Sequence, residues 1–187
     1  MEEIHTDYFL RRILPTDASR PFVTSTIVFN TPSNTLEEFV LEDIDCHGDG
    51  KCITYIFGKE DTIIGVARMK PMSFEEFRNE INEKNIFEYE EIEAYSDIQI
   101  LYMSRVGVSS AFEDLGFGTM LRSFLDGHAR SNFNHFLLYA LINEKMLQSL
   151  IKIKGKREFF ETYKISRELY DEKWKYYWVI LREFNRL

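Results

Sequence analysis

Basic residues are in the minority here: 23 Lys and Arg stand against 31 Asp and Glu, a formal net charge of −8. An acidic surface repels the nucleic-acid backbone, so general DNA or RNA binding drops out of the expected functions. The same balance favours a cationic or amine-bearing substrate, and it is also a common solubility feature. No apolar run reaches the roughly 20 residues that a membrane span requires. The opening Met1-Glu2-Glu3-Ile4-His5-Thr6-Asp7 lacks the basic and apolar regions of a secretory signal, which makes the cytoplasm the expected compartment. Only two cysteines occur, Cys46 and Cys52, and free thiols are expected for both. Cys46-His47 with Cys52 lacks a fourth ligand and fits no zinc spacing, so no metal is expected; Asp45, Gly48 and Asp49 read as the rest of a polar loop. No internal repeat and no low-complexity linker interrupts the chain, which reads as one domain over residues 1–187.

What is present is ordinary for a globular protein, with 44% hydrophobic and 29% charged residues. Phe and Tyr are numerous, 16 and 10, and serve a core or line a ligand channel. Tyr8–Leu14 reads as a strand, followed by a turn at Pro15-Thr16-Asp17-Ala18. Phe22–Phe29 is rich in β-branched residues, and Thr35-Leu36-Glu37-Glu38 has capping-box spacing for a helix to about Asp43. Cys52–Phe57 and Thr62–Lys70 read as strands joined by the hairpin turn Gly58-Lys59-Glu60-Asp61. Ser73-Phe74-Glu75-Glu76 is a second capping box, opening a helix to about Asn85, and residues 86–97 read as acidic and irregular. A strand over Ile98–Val108 and a helix from about Gly116 follow. His135–Leu141 is a strand, Asn143–Ile153 a helix, and Glu158–Arg167 and Lys173–Phe184 two closing strands. The order predicts a mixed sheet, parallel across the 98–108 strand and its successor, with helices on both faces.

The stretch from Ile98 to Arg130 carries the chemistry. A strand runs through Gly107-Val108 into Ser109-Ser110-Ala111-Phe112-Glu113-Asp114-Leu115, and Gly116-Phe117-Gly118 opens a helix. The free N–H groups of a first helical turn, aided by the helix dipole, make an anion cradle. Glycines there let a phosphate approach the backbone. A Rossmann fingerprint fails for want of its third glycine, and a Walker loop fails because no Gly-Lys-Ser/Thr follows.

These residues resemble the GNAT superfamily of acyl-CoA-dependent N-acyltransferases. The matching run is Glu113-Asp114-Leu115-Gly116-Phe117-Gly118, with Val108 ending the central strand, an aromatic at Phe112, and Tyr8–Ala18 similar to the family's first strand and turn. The resemblance implies a mixed, mostly antiparallel twisted sheet with a splayed parallel central pair. Residues 71–97 are then an insertion, for which a dimer contact or a lid is the open role. It further implies acetyl-CoA as co-substrate and direct attack by a primary amine, on a small molecule or a protein, in a ternary complex. The implied cofactor-binding residues are Val106, Val108, Glu113, Asp114, Leu115, Gly116, Phe117, Gly118, Thr119 and Asn143. The Val108 N–H is the implied oxyanion donor, and Gly107 marks a bulge or a close backbone approach.

The family's usual first motif residue, Gln or Arg, is replaced by Glu113 beside Asp114. If both side chains face solvent, screening makes the cost small. Arg122 is either a compensating cation or a solvated helix residue. The family's usual Tyr acid is missing too: its position falls on Leu150 or, in another alignment, Phe160, leaving Tyr139 and Tyr163 as stand-ins unless they are packed. Tyr102 and Ser104 share one face of the central strand and are placed to orient a water. Glu93 and Asp97 are weaker base candidates. His128 and His135 read as structural, and Lys152, Lys154, Lys156 and Arg157 as a solvated helix end or a contact for the coenzyme's 3′-phosphate. The alternative function is a non-catalytic acyl-CoA-binding or protein-interaction module on the same fold.

Overall fold

The computed structural model describes residues 8–14, 16–17, 52–172 and 175–185. The expected strand at 22–29, the helix at 35–43 and the Cys46-His47 pair lie outside them. The chain divides into two compact units. One comprises Met1–Met69 and Arg105–His128, the other Lys70–Ser104 and Ala129–Leu187.

The first unit holds β1 (Tyr8–Arg12), β2 (Ile53–Lys59), most of β3 (Thr62–Met72) and the end of β4 (Gln99–Val108). β1 pairs antiparallel with β2, and β2 with β3. The run Ile63-Ile64-Gly65-Val66-Ala67 has no polar alternation because both faces of this strand are covered: Ile63, Ile64, Val66 and Ala67 have no exposed surface. Beside it, the Ser109 N–H donates to the Ile64 carbonyl at 2.7 Å, so β3 lies next to the end of β4. The register slips between Phe57 and Gly58. A Cβ at Gly58 would lie 2.4 Å from the Phe9 ring and 2.3 Å from the Thr62 carbonyl oxygen, so only glycine fits there. After β1, the Asp17 carboxylate accepts both Arg11 terminal nitrogens, at 2.8 and 2.6 Å, and the Leu14 N–H at 2.7 Å. That clamp fixes the expected turn. From β4 a 3₁₀ turn (Ser110–Phe112) leads to α3 (Phe117–Asn132), whose residues to His128 belong to this unit.

The second unit contains α1 (Phe74–Lys84), α2 (Tyr89–Glu93), the start of β4, β5 (His135–Ile142), α4 (Glu144–Lys154), α5 (Lys156–Thr162), and β6 (Lys164–Ile165), β7 (Leu169–Asp171) and β8 (Lys175–Asn185). The Ser73–Glu76 capping box forms at α1 as expected, and Asn85 ends the helix in the left-handed region at φ 47°. Phe77 and Ile81, one turn apart, enter a buried cluster with Ile92, Tyr95, Ile100, Leu137, Tyr139, Tyr177, Val179 and Leu181. β4 and β5 pair in parallel, β5 and β8 antiparallel, and strand order in this unit is β4-β5-β8-β6. The mixed α/β architecture, mostly antiparallel with one parallel pair, is the expected one.

Three expectations are corrected. Of the expected strand Glu158–Arg167 only Lys164–Ile165 is a strand: residues 156–162 form α5, set off from α4 by Gly155 at φ 81°. Arg157–Glu161 and Lys154–Glu158 are i,i+4 pairs that suit a helix, and Phe159 buries its inner face. Residues 86–97 are not wholly irregular, since burial of Ile92 and Tyr95 draws 89–93 into α2. Cys52 is no free thiol; it is disulfide-bonded. No helix among the described residues is long and apolar enough to cross a membrane.

Candidate functional site

In the first unit the sequence-predicted loop holds two residues in the left-handed region. Asp114 at φ 63° and Gly116 at φ 84° reverse the chain twice before α3 begins. A Cβ at Gly116 would meet nothing within 4 Å, so the space over the loop is open. The first turn of α3 carries no acidic side chain, and its first backbone bond runs from the Met120 N–H to Gly116 O at 3.0 Å. Glu113, Asp114, Leu115 and Thr119 are exposed, so water screens the two carboxylates.

The loop is anchored from below by aromatic rings. Phe117 packs 4.4 Å from Phe57 and 6.3 Å from Tyr8, with Phe112 at 6.4 Å. No local pattern announces the roles of Tyr8 and Phe57, because their partner Phe117 lies far along the chain from both. Val106 and Val108 are half-buried, and Val108 Cγ2 lies 3.7 Å from where Gly118 would carry a Cβ. Gly107 and Gly65 approach closely: its carbonyl is 3.1 Å from the Cβ position of Gly65. Arg122 is buried, at 8% exposure, so its reading as a solvated residue falls.

His128 packs inside the first unit, in keeping with its structural reading. Its ring lies edge-on to Tyr55, with Nδ1 3.4 Å from the phenol oxygen. Burial, and then the Arg12 charge, lower its pKa from the ordinary value, so the fold favours neutral imidazole. The unfolded chain then binds this proton more readily below about pH 6.5. Stability is therefore lost as pH falls from neutrality through the folded-state value. We expect His128→Gln to lose less stability than the wild type between pH 7.5 and 5. Denaturant midpoints at the two pH values measure this, and equal pH sensitivity of the two proteins would refute it.

In the second unit the parallel ladder runs only from Gln99↔Phe136 to Tyr102↔Tyr139, whereas β4 and β5 both continue beyond it. The last pair is the tyrosines themselves, with ring centroids 5.0 Å apart. Tyr102 and Ser104 are half-buried, and Lys70 Nζ lies 5.7 Å from the Tyr102 ring. Tyr139 has no exposed surface and donates its hydroxyl to Glu80 Oε1 at 2.6 Å. Burial first, then the Glu80 charge and hydrogen bond, raise its pKa far above that of a free phenol.

Tyr163 is packed as well. Its ring stacks on Phe159 at 5.0 Å, and its oxygen accepts Arg182 Nη1 at 3.3 Å. The Asn143 side chain accepts the Met146 N–H at 2.9 Å, capping α4. Glu93 faces Arg78 at 3.8 Å, and His135 faces Glu183 at 2.8 Å. Lys154 and Arg157 pair with Glu158 and Glu161. No group of three or more His, Cys, Asp or Glu placed to hold a metal occurs among the described residues. Glu80 escapes sequence reading, since nothing in a charged, amphipathic helix distinguishes the one carboxylate that reaches a strand 59 residues away.

No family model and no curated protein matches this chain. Solved structures do. NAA60 of Arabidopsis thaliana in complex with a bisubstrate analogue superposes with a TM-score of 0.61 at 15% identity, over 96% of this chain and 99% of that one. A GNAT family acetyltransferase from Elizabethkingia anophelis with acetyl-CoA bound gives 0.50 at 12%, over 96% and 98%. The chain has the GNAT fold. Glucosamine-6-phosphate N-acetyltransferase of Arabidopsis thaliana is similar over 78% of this chain and 88% of that one, with a TM-score of 0.53 at 14% identity. The parallel β4/β5 pair and the glycine loop before α3, read from sequence as GNAT features, are therefore set in a GNAT sheet.

Proposed function

We infer that this chain is an acetyl-CoA-dependent N-acetyltransferase in which a primary amine attacks the thioester directly. The observation that carries the reading is the early end of the parallel ladder. Within the second unit the β4–β5 ladder ends at Tyr102↔Tyr139, and a strand that stops pairing with its neighbour can take the pantetheine arm as a further strand. The N–H groups from Gly116 to Thr119 hold the diphosphate, with Leu115 and Phe117 shaping the loop and Glu113 and Asp114 turned to solvent. Val106 lines the arm, and the Val108 N–H meets the thioester oxygen as it gains charge. Asn143 serves by fixing the first turn of α4. Tyr102 and Ser104 orient water near the acceptor. The segment 71–97 carries nine acidic against two basic residues, nearly the whole net charge of the chain. That field favours a cationic acceptor.

The test is thiol release from acetyl-CoA in the presence of spermidine, an aminosugar, a lysine peptide or a peptide with a free N-terminus. The reading predicts release with at least one of them. Acetyl-CoA binding with no release from any amine supports the non-catalytic module instead, and no binding removes both.

A further inference from the structure

Phe184, near the end of β8, carries a guanidinium from each of two elements. Arg182 lies on the same strand, with its Cζ 4.2 Å from the ring centroid. Arg130 reaches the ring from the last turn of α3, at 4.3 Å. Both arginines and the ring belong to the second unit. The ring is fixed: Phe184 is buried and pairs across the ladder with Phe136, the two rings stacked at 4.6 Å and 14°. Phe133 closes edge-on against Phe136 at 6.4 Å. Arg182 is held a second time by Tyr163, whose ring centroid lies 5.3 Å from Cζ and whose oxygen accepts Nη1 at 3.3 Å.

Because the two cations share one ring, their separation cannot exceed the sum of the two ring distances. Like charges that close repel each other. The chain has 31 Asp and Glu, yet among the described residues neither arginine has a carboxylate partner. Glu183, between Arg182 and Phe184 in sequence, points to the other face of the strand and meets His135. Stacking occupies the flat face of a guanidinium and leaves its in-plane N–H groups for acceptors. Arg182 gives one of these to Tyr163. Arg130 is exposed, and its side chain donates to no acceptor among the described residues.

From this geometry we propose that Arg130 and Arg182 form an oxyanion site whose ligand is a phosphate group, free or carried by a small molecule, bound as a dianion between the two forks. A tetrahedral dianion balances two cations and accepts from both planar forks at once. A single carboxylate balances only one of them. Stacking both side chains on a fixed ring orders them before the ligand arrives, which lowers the entropy cost of binding. The site lies toward the start of β5, separated from Tyr139 along the strand by Leu137 and Leu138. It stands whether or not the acetyltransferase reading holds.

The test titrates the full chain with inorganic phosphate, and separately with glycerol 3-phosphate, at near-neutral pH and constant ionic strength. The arginine Nε–H signals are followed by NMR. Since the loop before α3 is also read as a phosphate holder, both the wild type and Gly118→Glu are titrated. The Arg130 and Arg182 signals are expected to shift together and saturably, with the same midpoint in both proteins. Arg130→Gln weakens the binding read from Arg182 about tenfold, the loss that one charge-assisted hydrogen bond carries. Arg130→Lys recovers only part of it, because an ammonium keeps the charge and lacks the fork. Arg130 is exposed at a helix end, so these variants keep the fold; Arg182→Gln, read from Arg130, gives the same loss. A tighter midpoint for glycerol 3-phosphate supports an organic phosphate as the ligand, and an equal or weaker one supports the free ion. Signals that stay in place up to tens of millimolar phosphate, or that chloride shifts equally, overturn the site. So does a shift that Gly118→Glu removes, or one that survives Arg130→Gln unchanged.

Discussion

Gly118→Glu is expected to weaken acetyl-CoA binding at least ~100-fold while leaving the protein as stable as before, or slightly more so. The two effects have opposite signs for one reason. A carboxylate in the first turn of a helix interacts favourably with the dipole, typically by about 0.3–1 kcal/mol. A Cβ at Gly118 finds only ordinary contact, with Val108 Cγ2 at 3.7 Å, so the fold accommodates it. The same carboxylate stands where the coenzyme's diphosphate is to be held. Like charges about 4 Å apart near a protein surface repel by about 4 kcal/mol before salt screening. After that discount the Kd is expected to rise at least ~100-fold, at about 1.4 kcal/mol per tenfold. Calorimetry with acetyl-CoA and a thermal melt on the same sample measure both effects. A variant that binds like wild type would show that the amides of this helix end do not hold the diphosphate.

Phe77→Ala is expected to cost about 3–5 kcal/mol of stability. Phe77 has no exposed surface, meets Tyr139 edge-on at 5.5 Å, and carries α1 into the core of its unit together with Ile81. Truncation leaves a cavity against Tyr139 and loosens the helix that bears Glu80. The melting temperature is expected to fall on the order of 10 °C for a chain of this length. A change of under about 1 kcal/mol in denaturant unfolding, the range of peripheral substitutions, would contradict the placement of α1.

These two positions differ in how readable they are from sequence. Gly118 is legible because a strand, a G-x-G and a helix in series have a physical use that few other arrangements share. The capping box at Ser73 is legible for a similar reason, since both partners lie within one turn. Phe77 reads only as one apolar residue on an amphipathic helix; its contact with Tyr139 is set by the tertiary fold. The doublet Phe159-Phe160 misleads because aromatic residues favour strands, and here the i,i+4 charge pairs and Gly155 decide for helix. Tyr139 and Tyr163, read as stand-ins for a missing acid, are both packed: one holds Glu80 and the other meets Arg182. Neither hydrogen bond leaves a trace in local sequence, since partner and phenol sit on separate elements.

The central claim is that the loop before α3 and the end of β4 hold acetyl-CoA. Calorimetric titration of the wild-type chain, the reference for Gly118→Glu, tests it most directly. The account predicts one acetyl-CoA per chain, with a Kd inside the roughly 1 μM–1 mM span usual for enzyme substrates. No heat of binding and no thermal stabilisation at millimolar acetyl-CoA would contradict it.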